Sequence, residues 1–386
     1  MKINPTLVLL LIILILVVTS KSNNKSRTEG FLNYYKCSRL PDGPINKDIY
    51  RDYKWNRVTD PDHPWDLYIP CGYTNAEAEI KNLTPDNPHQ VIMSIPGCDQ
   101  LVSKNRLWEL LENRWGRKGA SNIMPESFVL SNSGDRQLLK KYWMGQAKRS
   151  NHGRGPIMIL KKNLQQKKGL LLTRDWAQIS RAHWKNYRVA QKYFKNVYKI
   201  HGRKVNLRIY VALTCQYHVT RAYLYTGGKC IYTSKADNSN STVAKKELDF
   251  KTNITSYKLD PAVYQTHPHD FYQLRDHIRR EGSNPEILFK RINKIITQSV
   301  QSVKPRLCGQ ENLTPNLCFQ LFGADVIFTP DLKPYLLEFN KGPSLRPRTP
   351  EDRVLKREML EDLYAKMGLD VDKKAANPDR WQKLDL

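Results

Sequence analysis

Cysteine is scarce in this chain, and its few positions follow no metal-binding pattern. The seven cysteines are an odd number and include no closely spaced pair of the kind that binds zinc or staples a small module. They stand at positions 37, 71, 98, 215, 230, 308 and 318. The sequence therefore argues against a zinc finger, and in a domain of this size it indicates reduced thiols rather than a disulfide framework.

Acidic residues are few relative to basic ones, with 37 Asp and Glu against 63 Lys and Arg and a formal net charge of +26. A surface of this charge attracts polyanions. Nucleic acid is the generic partner for such a composition, but the sequence lacks the zinc-finger, RNA-recognition and helix-turn-helix patterns that would specify it. Nucleic-acid binding through bulk charge is therefore a weak hypothesis, and an anionic membrane face would also be attracted by this charge.

Long hydrophobic runs are also missing, except for one at the amino terminus. Residues 7–18 are almost unbroken in apolar side chains. A helix from residue 3 to residue 20 would be about 27 Å long, near the thickness of a bilayer core. We expect residues 1–20 to be a single-pass transmembrane anchor. A cleaved signal peptide is the alternative, because Val18-Thr19-Ser20 is compatible with cleavage.

The charges that flank this run bear on its orientation. Lys21, Lys25 and Arg27 follow the run, whereas Lys2 precedes it, and basic residues favour the cytosolic side. Five Asn-x-Ser/Thr sequons indicate instead that the part of the chain after this run lies in the secretory pathway. They begin at Asn24, Asn82, Asn240, Asn253 and Asn312. Because the flanking charges are the more direct signal, we expect a membrane protein with a cytosolic body.

Three segments follow the apolar run. Residues 21–89 are rich in turn-forming sequences such as Pro41-Asp42-Gly43-Pro44, which predicts a juxtamembrane stalk and an irregular leader. Residues 90–368 alternate between strand and helix patterns, which predicts an α/β domain large enough for two or three lobes. Residues 369–386 are expected to form a polar tail.

Several elements of the α/β domain can be placed in advance. Residues 207–214 and 319–328 are rich in β-branched and aromatic side chains and predict strands. Residues 284–304 carry an apolar stripe behind a proline in the first turn, which predicts a core-facing helix. Thr349 begins a last helix that ends near Gly368, because threonine caps helix amino termini and glycine caps carboxyl termini.

Residues 318–344 are the most informative part of the chain. One hydrophobic stretch contains Asp325, and the next ends in Glu338 and Asn340. Residues two apart in a strand point to the same face, so Glu338 and Asn340 can offer oxygens to one cation. Leu337 and Phe339 are then expected to face the core. Magnesium prefers such ligands and bridges phosphates. A strand that ends in a solvated turn is the alternative.

Further motifs precede this segment, and together they resemble the tubulin tyrosine ligase and tubulin ligase-like family, in its sequence order, over roughly residues 90–368. The matching pieces are Ile95-Pro96-Gly97, Lys104 to Leu107, Pro125-Glu126-Ser127-Phe128-Val129-Leu130, Trp143 with Gly153-Arg154-Gly155, Gln191-Lys192-Tyr193, Gly202-Arg203-Lys204-Val205-Asn206-Leu207-Arg208-Ile209-Tyr210-Val211, Tyr223-Leu224-Tyr225 and Thr252-Asn253. Each piece alone is weak, but their order is specific. The resemblance implies a multi-lobed ATP-grasp fold.

The resemblance also implies a chemistry. Family members use ATP and Mg²⁺ to activate a carboxylate as an acylphosphate, which the amine of a free amino acid attacks to form an amide or isopeptide bond. The implied acceptor is the acidic tail of tubulin or of another protein, and we expect a monomer. The implied metal ligands are Asp325, Glu338 and Asn340. The implied nucleotide-binding residues are Lys104, Lys148, Arg154, Gln191, Lys192, Tyr193 and Lys204. The implied catalytic residues are Arg208, Lys204 and Asn206.

Three positions depart from the family pattern. Gln146 stands where the family has a phosphate-binding lysine, a role that a neighbouring lysine would have to take over. Asn206 replaces a carboxylate that could orient the incoming amine. Ile231 occupies the place of a hairpin arginine, whose role would fall to Lys229 or Arg221. Two functions therefore stay open: a membrane-anchored amino-acid ligase, which we favour, and a degenerate module that tethers tubulin or another polyanion to a membrane.

Overall fold

The computed structural model of the chain describes residues 32–37, 41–60, 62–150, 153–164, 169–237, 248–255, 259–372 and 374–386. Within these residues, helices pack on a 10-stranded sheet, and a 4-stranded sheet forms a second lobe. The α/β class predicted from the sequence is confirmed.

The larger sheet is built around three long antiparallel strands. Its strands are β1 (Asn33–Tyr35), β2 (Asn56–Val58), β3 (Leu67–Tyr68), β4 (Val91–Ile92), β9 (Lys199–Ile200), β10 (Arg203–Gln216), β11 (Val219–Tyr232), β12 (Leu317–Phe328), β13 (Pro334–Lys341) and β14 (Trp381–Lys383). Their order is β14-β11-β10-β12-β4-β3-β1-β2, with β13 paired to β12 and β9 paired to β10. Strands β11, β10, β12 and β13 are joined in antiparallel pairs, so residues far apart in sequence meet across one surface.

The smaller sheet faces one end of these long strands. It consists of β5 (Ser127–Val129), β6 (Met158–Lys161), β7 (Leu170–Thr173) and β8 (Val189–Lys192), in the order β5-β8-β6-β7. All of its described pairings are antiparallel. It has an apolar cluster of its own, which includes Phe128, Met158 and Leu160. A separate core of this kind is typical of a lobe that packs as a unit.

Helices cover both faces of the larger sheet. The helices are α1 (Pro44–Asp52), α2 (Ala76–Ile80), α3 (Asp99–Val102), α4 (Lys104–Ile123), α5 (Ser133–Arg149), α6 (Trp176–Ser180), α7 (Phe250–Asn253), α8 (Phe271–Arg280), α9 (Pro285–Val303) and α10 (Pro350–Lys366). Alternate side chains of β10 serve opposite faces, as a strand requires. Leu207 and Ile209 pack with α4 and α9, whereas Tyr210 and Ala212 pack with α1 and α10.

The two long helices predicted from the sequence are confirmed, and so are the caps predicted for the second. The side chain of Asn284 accepts a hydrogen bond from the backbone N–H of Glu286 at the start of α9. Thr349 caps α10 by accepting from the N–H of Asp352, and Gly368 follows that helix with a φ of 73°. The predicted strands 207–214 and 319–328 lie inside β10 and β12.

The prediction of an irregular leader over residues 21–89 is wrong for the described part of that segment. Strands β1, β2 and β3 extend the larger sheet, and α1 packs against α10. The Tyr50 hydroxyl lies 3.2 Å from that of Tyr364, and the indole N–H of Trp55 donates to the carbonyl of Asp370 at 2.8 Å. Strands of two or three residues are too short to show an alternating hydrophobic pattern. The composition of the segment, rich in turn-forming residues, therefore predicts a loop.

The prediction of a polar tail over residues 369–386 is also wrong. Strand β14 pairs with β11, and its first residue, Trp381, is 1% exposed. The indole N–H of Trp381 donates to the carbonyl of Met359 at 3.2 Å. One buried tryptophan in a polar segment is enough to dock that segment, because an aromatic side chain buries a large apolar area.

The prediction of reduced thiols fails for four of the seven cysteines. Cys37 is bonded to Cys71, and Cys215 is bonded to Cys308, with Cα atoms 5.4 and 5.5 Å apart. The bonded cysteines are 34 and 93 residues apart in sequence, so spacing gave no sign of them. The remaining three are buried thiols at positions 98, 230 and 318.

The predicted transmembrane anchor falls outside the described residues. Among the helices that are described, none has both the length and the apolar character needed to cross a bilayer.

Replacing Trp381 by alanine is expected to destabilise the fold by about 3–5 kcal/mol, because it removes a fully buried aromatic side chain. The matched control is Lys383→Ala, whose side chain is exposed on the same strand and which should change stability by less than about 0.5 kcal/mol. Urea unfolding of both variants checks this. Equal midpoints for Trp381→Ala and wild type would show that the carboxyl-terminal strand is not docked.

Candidate active site

A cavity of about 770 Å³ lies between the two sheets. Strand β10 supplies one wall through the alternate residues Lys204, Asn206, Arg208 and Tyr210. Because residues two apart in a strand share a face, one strand delivers all four side chains. A cavity of this size at a lobe boundary, with convergent charged groups, is the most informative candidate for a ligand site.

A row of four charged residues crosses the floor of this cavity. In the paired strands, Lys229 lies opposite Arg208, Arg208 opposite Asp325, and Asp325 opposite Glu338. The guanidinium of Arg208 donates to both carboxylate oxygens of Asp325, at 2.8 and 3.2 Å. The Lys104 ammonium lies 3.1 Å from the Glu338 carboxylate. Two cations and two carboxylates thus stand side by side on adjacent strands.

Burial and charge act against each other on the two carboxyls of this row. Burial raises the pKa of Asp325, and the opposing effect of Arg208 only partly offsets it. Burial also raises the pKa of Glu338, but Lys104 and Lys161 outweigh that effect and hold it below its usual range. The Glu338 carboxylate is therefore ionised at neutral pH and is stabilised by cations.

Gly323 makes room for this arrangement. A Cβ atom at Gly323 would lie 3.0 Å from Cδ of Arg208 and 2.9 Å from Cβ of Pro343. Across the sheet Gly323 pairs with Asn340, whose amide donates to Asp325 at 3.2 Å. A glycine at this position therefore lets the arginine, the amide and the carboxylate converge.

The three predicted metal ligands are brought together by the structure. Asp325 and Glu338 are paired across β12 and β13, and Asn340 follows on the same strand as Glu338. Leu337, expected to face the core, lines the cavity instead, because the register shifts next to Asp325 and inserts one extra residue into β13. Two carboxylates and an amide oxygen fit a hard cation such as Mg²⁺.

Gln191 is the predicted nucleotide-binding residue that lies where the two lobes meet. Its side chain is 2% exposed and donates to the hydroxyl of Ser127 at 2.9 Å and to the carbonyl of Pro125 at 3.3 Å. Its Oε1 atom is buried and accepts no hydrogen bond from the described residues. A buried acceptor on a cavity wall fits a ligand that supplies a donor, such as the amino group of adenine.

The neighbours of Gln191 point in different directions. Lys192 forms an ion pair with Glu126, and its ammonium lies 3.9 Å from the ring centroid of Tyr142. Tyr193 contacts the ammonium of Lys204 and the side chain of Asn253. Both residues line the cavity, but Lys192 is already engaged by a carboxylate.

Lys204 is buried at the same wall. Its ammonium lies 2.7 Å from Oδ1 of Asn253, and burial lowers its pKa to about 8. Asn206 follows on the same face of β10 and lies opposite Ile231. The predicted catalytic residues Lys204, Asn206 and Arg208 therefore share one wall, with Asn206 between two cations.

Sequence reasoning missed Lys161, at the end of β6. Lys161 is 6% exposed, lines the cavity, and is influenced by the charges of Glu338 and Asp325. Burial lowers its pKa to about 8. The signal in the sequence is a short apolar run, residues 157–160, followed by Lys161 before a turn. The resemblance to the family places this lysine near residue 146 instead.

Two predicted nucleotide-binding residues lie elsewhere. Lys148 is exposed in the last turn of α5, and Arg154 is exposed in the segment before β6. Neither lines the cavity between the sheets. Gly155, next to Arg154, packs against the ring of Trp143. The Gly-Arg-Gly tract therefore packs on the smaller lobe and does not reach the cavity.

Comparison with known proteins agrees with this geometry. A sequence profile of the Tubulin-tyrosine ligase family matches residues 81–376. The chain belongs to this family. The match begins before the domain boundary predicted at residue 90 and extends past residue 368.

Three relatives of this tubulin-tyrosine ligase family member illustrate the range of similarity. The tubulin monoglutamylase TTLL4 of Mus musculus is 28% identical over 299 residues, which is 72% of this chain and 24% of the relative. The tubulin polyglutamylase ttll-4 of Caenorhabditis elegans is 29% identical over 316 residues, 78% of this chain and 49% of the relative. The probable tubulin polyglutamylase TTLL9 of Bos taurus is 35% identical over 184 residues, 46% of this chain and 37% of the relative. The chain thus spans half or less of the length of these relatives.

Lys161→Met is expected to weaken Mg-ATP binding about 10- to 100-fold, because a charge-assisted hydrogen bond to a phosphate contributes about 1.5–3 kcal/mol. Lys148→Met is the matched control, and its affinity should equal that of wild type. Titration calorimetry of both variants measures the difference. The reverse result, with Lys148 required and Lys161 dispensable, would contradict the assignment of the phosphate lysine to β6.

Mg-ATP affinity should also fall as the pH rises above about 8. The ammonium forms of Lys161 and Lys204 are the ones expected to bind phosphate, and burial lowers the pKa of both lysines to about 8. Above that pH each lysine must take up a proton before it can hold the anion. Calorimetry between pH 7 and pH 9 in two buffers of different ionisation enthalpy checks this. A flat affinity profile without proton uptake would contradict it.

Proposed function

We propose that this chain is an ATP-dependent amino-acid ligase that forms an amide or isopeptide bond on an acidic protein tail. The row of Lys229, Arg208, Asp325 and Glu338 carries this proposal, because it places an oxygen ligand set beside an arginine in one cavity. The relatives are named tubulin monoglutamylase and polyglutamylase, which supports tubulin as the first acceptor to test and glutamate as the first amino acid.

Residues of the two lobes would hold the phosphates from opposite sides. Asp325, Glu338 and Asn340 would hold a magnesium ion, which would neutralise charge on the triphosphate. Lys161 on the smaller sheet and Lys104 at the start of α4 both act on Glu338 and would contact phosphate oxygens. A phosphate held by two lysines and a cation is positioned for attack with its charge spread over several partners.

The reaction proceeds in two steps. A carboxylate oxygen of the protein tail attacks the γ-phosphorus of ATP, and ADP leaves, which yields an acylphosphate. The amine of the amino acid then attacks the acyl carbon, phosphate leaves with the bridging oxygen, and the amine loses a proton. Arg208 lies where oxyanion charge develops and stabilises it. The side-chain carbonyl of Asn206 can accept a hydrogen bond from the amine and so orient it.

A degenerate binding module is the second candidate function. Asn206 and Ile231 favour it, because they put a neutral amide and an apolar side chain opposite each other in the cavity. In that case the positive surface alone would hold tubulin or another polyanion. Binding would weaken with salt and would survive the loss of Asp325 and Glu338.

Membrane attachment through residues 1–20 is also part of the proposal. It rests on the apolar run in the sequence. An attached ligase would act on acceptors close to a membrane, and its positive charge would add affinity for anionic lipids.

The ligase proposal predicts that the full chain, with Mg-ATP and glutamate, adds one glutamate residue to an acidic tail peptide. Glu338→Gln should lower this activity about 100-fold or more, since it removes a metal ligand and its charge. Lys148→Met, an exposed lysine, serves as the control and should match wild type. Mass spectrometry of the peptide measures the product. Two results together would establish the binding module: folded wild type modifies no peptide, and the Asp325→Ala variant binds tubulin as well as wild type does.

A further inference from the structure

We propose that Lys229 and Lys356 bind the α-carboxylate of the amino-acid co-substrate, and that Arg346 and Arg348 at the rim of the same cavity select an acidic side chain. This inference rests on the proposed ligase function and names the substrate class of the same site. It assigns a role to a side-chain cluster at the end of the cavity opposite the metal ligands. The cluster consists of Lys229, Lys356 and Asp352, with two arginines at the rim, Arg346 and Arg348.

The position of Lys229 follows from strand pairing. It lies on β11 directly opposite Arg208, so both side chains share the face that lines the cavity. Adjacent strands are about 4.8 Å apart. In an amino acid the amine and the α-carboxylate are separated by one carbon. An amine placed at the reacting carboxyl beside Arg208 therefore puts its carboxylate within reach of the next strand, where Lys229 stands.

A buried carboxylate holds the two lysines in place. The ammonium groups of Lys229 and Lys356 each lie 3.0 Å from one of the two oxygens of Asp352, which is 0% exposed. Asp352 is fixed in turn by the start of α10, where its own N–H donates to Thr349 and its carboxylate accepts from the N–H of Arg348 at 2.8 Å.

Asp352 is ionised in this setting. Burial raises its pKa, but Lys229 and Lys356 outweigh burial and hold the pKa below its usual range. Two ammonium groups then share a single negative charge, and burial lowers the pKa of both lysines, that of Lys356 to about 8. A lysine ammonium has three donors. Each lysine directs one toward Asp352, and Lys356 donates a second to the carbonyl of Arg346 at 2.9 Å. A ligand carboxylate is the group that satisfies both the charge and the remaining donors.

The rim explains why the preferred amino acid is acidic. Arg346 and Arg348 are exposed at the mouth of the same cavity. One carboxylate of the co-substrate suffices for the two lysines. A second carboxylate, on a side chain, gains from the arginine charges at the rim, whereas an amide or apolar side chain does not.

The structure decides between Lys229 and Arg221, the two residues that could replace the hairpin arginine. Arg221 pairs with Thr214 near the far end of the β10–β11 hairpin. It lines a different cavity, beside Lys304 and Lys383. Lys229 is the hairpin cation that reaches the cavity between the two sheets.

The test is binding of L-glutamate to the full chain loaded with Mg²⁺ and a non-hydrolysable ATP analogue, measured by calorimetry. Lys229→Met is expected to weaken glutamate binding about 10- to 100-fold, the loss that follows removal of a charge-assisted hydrogen bond. The affinity for the ATP analogue should stay within about twofold, and Lys229→Arg should restore part of the loss. Arg221→Met is the matched control and should bind glutamate like wild type.

A selectivity measurement separates recognition from a structural role. Wild type should prefer glutamate over glutamine. Replacing Arg346 and Arg348 by methionine should reduce that preference, whereas Lys356→Met should weaken the binding of both amino acids. The inference is overturned if Lys229→Met binds glutamate as wild type does, if wild type does not discriminate glutamate from glutamine, or if only the affinity for the acceptor peptide changes. Failure of the ligase function itself would show differently, as loss of ATP-analogue binding or of its dependence on Glu338.

A second inference rests on the cysteines alone. We infer that the chain folds in an oxidising compartment, because four cysteines that are distant in sequence meet as two bonded pairs. Each bond forms by loss of two protons and two electrons from a pair of thiols to a disulfide-donating protein oxidant. The acceptor would then be an acidic protein tail of that compartment, and the orientation predicted from Lys21, Lys25 and Arg27 would be reversed.

The disulfides have a direct test that does not depend on activity. The full chain is expressed in eukaryotic cells, thiols are alkylated before lysis, and unreduced peptides are mapped by mass spectrometry. Linked peptides that contain Cys37 with Cys71, and Cys215 with Cys308, are expected, together with buried thiols that are modified only after denaturation. Alkylation of all seven cysteines without reduction would overturn the inference and restore a cytosolic location.

Discussion

The buried ion pair between Arg208 and Asp325 is the interaction on which the site depends. It joins the two central strands of the larger sheet at the point where four charged side chains lie side by side. Removing either partner would leave an unpaired charge in the interior, which costs about 3–5 kcal/mol. The row is therefore polar. Its carboxylates lie on the side of Glu338, and its cations lie on the side of Lys229. This polarity suits a metal cation on the first side and a ligand carboxylate on the second, as proposed.

The second lobe converts this charged floor into a cavity. Lys161 reaches from the smaller sheet toward Glu338 and Asp325, and Gln191 presents a buried acceptor beside it. Neither residue belongs to the larger sheet, so movement of one lobe would change the distance between phosphate-binding groups and metal ligands. A nucleotide that contacts both lobes would stabilise their closed arrangement, because ligands favour the state to which they bind more tightly. Enclosure of the site also strengthens each electrostatic interaction within it.

The clustering of the proposed metal ligands was partly predictable from the sequence, because alternation along a strand places Glu338 and Asn340 on one face without any tertiary information. The long helices were predictable for a similar reason, since Pro285 and Thr349 are local signals of a helix start. Lys161 was missed because a lysine at the end of a four-residue strand is only a weak local signal, and the position of its sheet is needed to show that it faces Glu338. Disulfides, the two- and three-residue strands, and the docked carboxyl terminus all depend on contacts between distant residues. Periodicity carries no information about such contacts.

The central claim is that this row of residues activates a carboxylate by phosphorylation, and oxygen tracing tests it most directly. An acidic acceptor peptide labelled with ¹⁸O in its side-chain carboxylates is incubated with the full chain, Mg-ATP and glutamate, and the released inorganic phosphate is analysed by mass spectrometry. The mechanism predicts one ¹⁸O atom in the phosphate for each glutamate joined to the peptide, because the bridging oxygen of the acylphosphate comes from the acceptor. Ligation with unlabelled phosphate, or ATP cleavage with no ligated product, would contradict it.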